Sequence, residues 1–471
     1  MAEAAPQESA PDSTAAPDDP LIEALRGLLG ERLSTARAVR EHHGDDLSFH
    51  AMAAPDAVAF AQTTEEVAAI MKFCAEHSRP VVPFGAGTSL EGQIQAPEGG
   101  VCIDLSGMQQ VLEVNQADLD CRVQAGVTRK ALNHHLRDTG LFFPIDPGAD
   151  ASLGGMAATS ASGTNAVRYG TMRENVMGLT VVLADGRIIR TGGRSRKSSA
   201  GYDLTRLFVG SEGTLGIITE VQLRLYGIPE AMTAGVCSFE TLAGAVDAVI
   251  LTIQSGIPVA RIELLDEHQV DAVNRYAKLD LPLKPTLFYE FHGTETWASE
   301  QAELAGEIAE GFGGANFQWA TKQEDRNKLW QARHDVWFAN LALKPGAKGW
   351  ATDVCVPISR LAECILETRK DIDETGVLAP IVGHVGDGNF HLSFILDPNA
   401  PEELEKAEAV NERMVMRALS MGGTCTGEHG VGSSKKKFLQ AEHGEAVSVM
   451  RQLKLALDPQ NLMNPGKILT V

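Results

Sequence analysis

From Asp146 to Gly170 the chain reads DPGADASLGGMAATSASGTNAVRYG, a tract too poor in large apolar side chains to build an ordinary core segment. Glycine has no Cβ, so Gly148, Gly154, Gly155 and Gly163 allow the backbone to approach a flat ligand closely. Such a tract is not expected to fold as an ordinary core segment, and its glycines suit it to lie against a bound group.

Two further runs share that character. PVVPFGAGTSLEGQ, Pro80 to Gln93, is a short apolar strand that empties into Gly85, Ala86, Gly87, Thr88 and Ser89. Successive small residues let N–H groups curl around phosphate oxygens, and the two hydroxyls add donors. It is neither the dinucleotide fingerprint G-x-G-x-x-G opening a helix nor a Walker loop, since no Lys follows the glycines. GSEGTLGIIT, Gly210 to Thr219, has the same composition before it enters a strand. A nucleotide cofactor is one reading of these loops; an ordinary tight turn is the other.

Near the C-terminus, GHVGDGNFH (Gly383 to His391) and TGEHGVG (Thr426 to Gly432) bring together three imidazoles and a carboxylate. Leu378 to Val382 and Phe390 to Leu396 are β-type stretches around the turn formers Gly386, Asp387, Gly388 and Asn389, which predicts a hairpin. His384 and His391 would then face each other across neighbouring strands, with Cβ atoms about 5 Å apart, close enough for both rings to reach one ion. Glu428 supplies a third ligand, and His429 beside it points at the open position. Two His and one Glu with a vacancy describe a catalytic metal site, for which zinc, manganese and iron are all admissible. Cys425 is a weaker candidate ligand. The competing reading is that these side chains are buried polar groups satisfied by backbone.

The three glycine tracts, in this order, resemble the flavin-binding domain of the vanillyl-alcohol oxidase and p-cresol methylhydroxylase superfamily. The histidine runs, with LDPQNLMNPGK from Leu457 to Lys467, resemble its D-lactate and glycolate dehydrogenase branch, nearest the cytochrome-linked members. The resemblance spans residues 40 to 471 and implies FAD. Its pyrophosphate would lie against Pro83, Phe84, Gly85, Ala86, Gly87, Thr88, Ser89 and Leu90. Its isoalloxazine would be cradled by Pro147, Gly148, Ser152, Gly154, Gly155, Ser160, Gly163 and the strand around Ile217, with Asn464 nearby. Some members tether the flavin through a histidine in the first loop; Ala86 and Thr88 stand there instead, so noncovalent FAD is expected.

By the same resemblance, Arg333 in LWQARHDVW binds the substrate carboxylate, for which a guanidinium fork is well matched. Trp337 follows four residues on, on the same helical face, and lines the substrate side-chain pocket. The alternatives are a solvated Arg333, with Trp330 and Trp337 as core anchors; His334 reads as a surface residue. Relatives that oxidise D-2-hydroxyglutarate carry a small hydroxyl residue where Trp337 stands and a lysine where Ala351 stands. Their absence favours D-lactate or a similar short D-2-hydroxy acid, with glycolate or D-2-hydroxyglutarate as alternatives. Zinc or manganese at His384, His391 and Glu428 would polarise the α-hydroxyl, His429 would take its proton, and hydride would pass to FAD, leaving a 2-keto acid. From other classes, a metal hydrolase and an electron-carrier subunit remain as readings.

At 471 residues the chain exceeds one core. Expected are a disordered tail over 1–19, an FAD-binding domain over 20–229, a substrate or cap domain over 230–425, and a segment, 426–471, returning to the flavin domain. Asp19 and Pro20 start a helix that Gly30 closes. Thr63 with Glu66 reads as a capping box for a helix through Glu76. A helix is expected over Thr128 to Gly140, and VVLADGRIIR, Val181 to Arg190, reads as a hairpin turning at Asp185 and Gly186. Beyond Pro229, strands such as Arg261 to Leu265 mix with helices such as Glu300 to Phe312 and Ser359 to Asp373. The pattern is α+β, with an antiparallel-sheet cap bearing helices on one face, and the resemblance implies that the rest is a bipartite flavin-binding domain of the vanillyl-alcohol oxidase type.

A formal charge of −21 repels phosphate backbones and excludes nucleic acid as partner. Seven scattered cysteines without C-x-x-C spacing fit a reducing compartment, and no haem or iron–sulfur motif appears. Electrons must therefore pass to an external acceptor: a cytochrome, a quinone or an electron-transfer flavoprotein. No run of eighteen apolar residues provides a transmembrane segment. The start is rich in Ala, Pro, Asp and Glu, with no Lys or Arg before Arg26, which leads to an expected cytoplasmic location, with peripheral attachment to the inner membrane left open.

Overall fold

The computed structural model describes residues 19–46, 48–320 and 322–471. The expected tail therefore lies outside the described residues apart from Asp19, whose carboxylate accepts the Leu21 N–H at 3.0 Å and caps the helix Pro20–Leu29. Three larger sheets follow, beside a two-stranded ribbon of Leu141–Phe142 and Tyr226–Gly227. The first has four strands in the order Leu33–Ser34, Ala57–Phe60, Val101–Asp104, Val81–Phe84, and its last three strands are parallel. Helices Pro20–Leu29 and Thr64–Glu76 bury Leu25, Val67, Ile70 and Met71 against it. Thr63 caps the second helix through the Glu66 N–H, but the Glu66 carboxylate accepts from the Gln62 N–H and pairs with Arg32 instead of returning to Thr63. The capping box is half formed.

The second sheet is antiparallel, in the order Val111–Asn115, Asp120–Gln124, Ile217–Arg224, Val176–Val182, Ile188–Gly192. The helix predicted over Thr128 to Gly140 is Arg129–Leu136, capped by Thr128.

The third sheet has eight strands, all antiparallel, and begins at Ala231–Phe239. Strand Arg261–Leu265 lies inside it, between Thr286–Gly293 and Ile381–Gly383. Helices Leu242–Gln254, Glu295–Gly311, Leu361–Thr375 and Pro401–Ser420 share one core with one face. Three shorter helices, Glu267–Ala277, Gln323–His334 and Val336–Ala342, pack on the other face around Phe288, Leu265 and Val382. Helix Glu295–Gly311 starts earlier than expected because Thr294 caps it, accepting the Trp297 N–H.

The chain end returns to the first sheet. Val81 N–H donates to Leu462 O and Asn464 N–H to Val81 O, each at 2.7 Å, which brings Asn464 to the strand that feeds the first glycine loop. Among the described residues no helix is long and apolar enough to cross a membrane.

Candidate active site

A cavity of about 570 Å³ opens where the three sheets meet. Its walls include Pro83, Phe84, Gly85, Ala86, Gly87, Thr88, Ser89 and Leu90 from the first loop, and Pro147, Gly148, Ser152, Gly154 and Gly155 from the long tract. Ile217 and Asn464 join them, and from the third sheet and the C-terminal runs come Arg333, Trp337, His384, His391, Glu428 and His429. Ser160 and Gly163 are not on the wall. Ser160 ends helix Leu153–Thr159 in the left-handed conformation, and Gly163, at φ +144°, is packed against the Asp146 backbone.

The small residues are demanded by packing. A Cβ at Gly85 would collide with Ser152 Oγ, and one at Gly154 with Ala125. Ser152 spends its hydroxyl on the Gly155 N–H. By contrast Ser89 Oγ and Asn464 Oδ1 are buried without partners, so the cradle holds polar atoms that await a bound group. A long, glycine-walled cleft with orphaned acceptors suits a dinucleotide-sized cofactor such as FAD.

The histidine geometry differs from a simple hairpin. Strand Ile381–Gly383 stops one residue before His384, which stands at the N-cap position of the 3₁₀ turn Val385–Asp387. The cross-strand partner of His391 is Val382, not His384. The rings still converge, with centroids 5.4 Å apart. His391 Nδ1 lies 2.9 Å from Thr352 O, which places its proton there and turns Nε2 to Glu428 Oε1 at 3.2 Å. His384 Nε2 lies 3.1 Å from the same oxygen. One ligand atom from each of His384, His391 and Glu428 falls within 4.8 Å of the others, and among the described residues no other such trio occurs. Cys425 is buried outside it.

Burial opposes charge throughout this cluster, yet His384 and His391 hold the Glu428 carboxyl well below its ordinary range. Burial likewise opposes a proton on His384, but Glu263 and Glu428 on either side raise it well above the usual histidine value. A cation seated among these groups would take that proton's place. His391 is lowered, mainly by burial. The His429 ring stacks on that of His391, and its buried Nδ1 faces Glu91 Oε1 at 3.7 Å.

Three carboxylates that sequence reasoning did not single out build the frame. Asp353 Oδ2 accepts the N–H groups of Glu428 and His429 at 2.8 and 2.9 Å and the Thr426 hydroxyl at 2.7 Å. Glu212 accepts the N–H groups of Val431 and Gly432 at 2.7 and 2.8 Å, tying the turn to the third glycine tract. Glu263, from strand Arg261–Leu265, meets both His384 and Arg333. A lone acid within the apolar runs RIELL and WATDVCV was the available signal for Glu263 and Asp353.

Arg333 is buried, not solvated, and pairs with Glu263 at 2.6 Å. Trp337 does not continue its helix: Gln323–His334 ends at Asp335, and Trp337 belongs to Val336–Ala342. Trp330 is a core residue beside Phe288, as its alternative reading had it, whereas Trp337 lines the cavity with Ala351. His334, expected at the surface, lines the cavity too.

Residues 55–192 match the family described as FAD binding domain, and residues 228–468 the family described as FAD linked oxidases, C-terminal domain. The chain is 54% identical to a Danio rerio protein named probable D-lactate dehydrogenase, mitochondrial, over 95% of this chain and 91% of that one. It is 48% identical to an Arabidopsis thaliana protein named D-lactate dehydrogenase (cytochrome), mitochondrial, over 95% of this chain and 80% of that one. Its fold matches the solved structure of p-cresol methylhydroxylase with substrate bound, at a TM-score of 0.76 and 19% identity, over 95% of this chain and 96% of that one. Both relatives are named as mitochondrial, which overturns the cytoplasmic placement drawn from the composition of the first residues.

Proposed function

This chain belongs to the FAD-linked oxidases, and from that premise we propose that it oxidises D-lactate, or a D-2-hydroxy acid of similar length, to the 2-keto acid. FAD would be held without a covalent tether by the loop Phe84 to Leu90, by Gly148, Gly154 and Gly155, and by Ile217 and Asn464. When bound, it supplies the acceptor for the two electrons and the hydrogen leaving the substrate Cα. His384, His391 and Glu428 would hold zinc or manganese, which when bound supplies Lewis-acid polarisation of the α-hydroxyl.

The remaining work falls to the protein's own groups. Arg333 binds the substrate carboxylate and so sets which face of Cα is presented. Trp337, which lines the cavity with Ala351, would limit the room for a substrate side chain and offers no cation to a distal carboxylate. His429 accepts the hydroxyl proton; with its Nδ1 side turned to Glu91, its other nitrogen serves the cavity. The electrons then leave to a separate acceptor, for which the cytochrome in the name of the Arabidopsis thaliana relative is the first choice.

The observation that carries this reading is the meeting, on one cavity, of the His384, His391 and Glu428 trio with Arg333, His429 and the glycine tracts. Anaerobic titration of the purified protein tests it. The expected result is a yellow protein bleached by D-lactate and not by L-lactate. A colourless protein would leave a metal hydrolase, and a coloured one indifferent to every hydroxy acid in a D-2-hydroxy acid panel would leave an electron-carrier subunit.

A further inference from the structure

Glu263 stands in the interior of the eight-stranded sheet with no exposed surface. Its backbone is fixed from both sides, since strand Arg261–Leu265 pairs Glu263 with Phe288 and, one residue on, Leu264 with Gly383. A carboxylate here is costly to bury unless both oxygens are used. Both are: Oε2 takes Arg333 Nε at 2.8 Å and Nη2 at 2.6 Å, and Oε1 takes His384 Nδ1 at 2.8 Å. Arg333 comes from helix Gln323–His334 and His384 from the turn after strand Ile381–Gly383; the two elements share the apolar core around Trp330 and Val382, and their polar side chains meet at Glu263.

We infer that Glu263 is the positioning residue that couples capture of the substrate carboxylate by Arg333 to capture of the metal ion by His384. This rests on the functional reading given above. By holding the proton on His384 Nδ1, Glu263 leaves Nε2 as the ligand nitrogen and adds to its basicity, the role a carboxylate takes behind a metal-bound imidazole. By engaging Arg333 on one edge, it aims the rest of the guanidinium and compensates its charge. Without that anion, a guanidinium and a dication would have to share one buried wall.

An ion pair that merely fastened helix Gln323–His334 to the sheet would affect stability alone. The test compares wild type, Glu263→Gln and Glu263→Asp as FAD-loaded proteins stripped of metal by chelation. Manganese is titrated by calorimetry, and then oxalate, at saturating manganese, by perturbation of the flavin spectrum. In Glu263→Gln both dissociation constants are expected to rise, that for manganese by about 10- to 100-fold, with FAD content unchanged. Glu263→Asp keeps the charge with a shorter reach and should fall between; it decides the matter if the glutamine variant does not fold. Dissociation constants within about twofold of wild type for either ligand, with only the melting temperature lowered, would overturn the coupling. A wild type that binds neither manganese nor oxalate overturns the functional reading and this inference with it. A wild type that binds both, matched by Glu263→Gln, overturns this inference alone.

Discussion

The imidazole of His429 lies on that of His391 with ring centroids 5.1 Å apart and planes 14° from parallel. His391 is a candidate ligand and His429 a candidate base, so the stack sets the proposed proton acceptor beside the site where an ion would polarise the hydroxyl. His429→Ala should therefore retain flavin and metal while kcat falls by about 100-fold or more, the range general bases contribute. Stopped-flow reduction by D-lactate measures it, and substantial retained turnover removes His429 as base.

Glu428 is the one carboxylate in the trio, and Asp353 fixes its backbone through the 2.8 Å bond from its N–H. Glu428→Gln keeps that bond and the side-chain shape but removes the anionic ligand. Metal content by elemental analysis should drop to background, with flavin absorbance unchanged and bleaching by D-lactate lost. Chelation of the wild type should do the same, reversed by adding zinc or manganese. Full activity in the chelated protein would dismiss the ion.

Burial raises the Glu212 carboxyl to about 7; the Val431 and Gly432 N–H groups oppose the rise and Glu91 adds to it. Unfolded, the group titrates at about 4.5, so between those values the folded state holds the proton and the unfolded state does not. Its contribution to stability is complete below about 4.5 and is lost as pH climbs through about 7, an effect on the order of 3 kcal/mol at most. Melting curves from pH 5 to pH 8 should show this decline in wild type and a shallower one in Glu212→Gln, which cannot ionise. Parallel slopes in the two proteins would contradict the assignment.

What could be read from the chain alone depended on sequence distance. The glycine tracts announce themselves because each is contiguous, and His384, His391 and Glu428 because glycines crowd their short runs. The carboxylates that hold these pieces together gave only faint signals. Glu263 meets His384 across 121 residues, Glu212 meets Val431 across 219, and Asp353 meets Glu428 across 75. Such pairs form only once sheets are assembled, and no local periodicity encodes them. One error of detail was a local break without a marker: no Gly or Pro warns that the helix carrying Arg333 stops at Asp335. The other fell among glycines, where the ladder stops at Gly383 and a 3₁₀ turn, Val385–Asp387, begins sooner than the hairpin reading placed it.

On the proposed reading, Trp337, which lines the cavity, is the residue that would set the length of substrate accepted. Its indole reaches over strand Lys348–Ala351, where Gly349 leaves the room: a Cβ at that position would collide with the ring. Removing the ring in Trp337→Ala opens apolar volume without supplying a cation, so longer apolar side chains should gain and a distal carboxylate should not. Each added methylene that finds contact is worth about 1 to 3 kcal/mol in discrimination. The ratio of kcat/KM for D-2-hydroxyisocaproate to that for D-lactate should therefore rise by about 10-fold or more, while D-2-hydroxyglutarate stays poor until a lysine is also placed at Ala351. An unchanged ratio would mean that the indole is only a packing residue and that substrate length is set elsewhere on the wall.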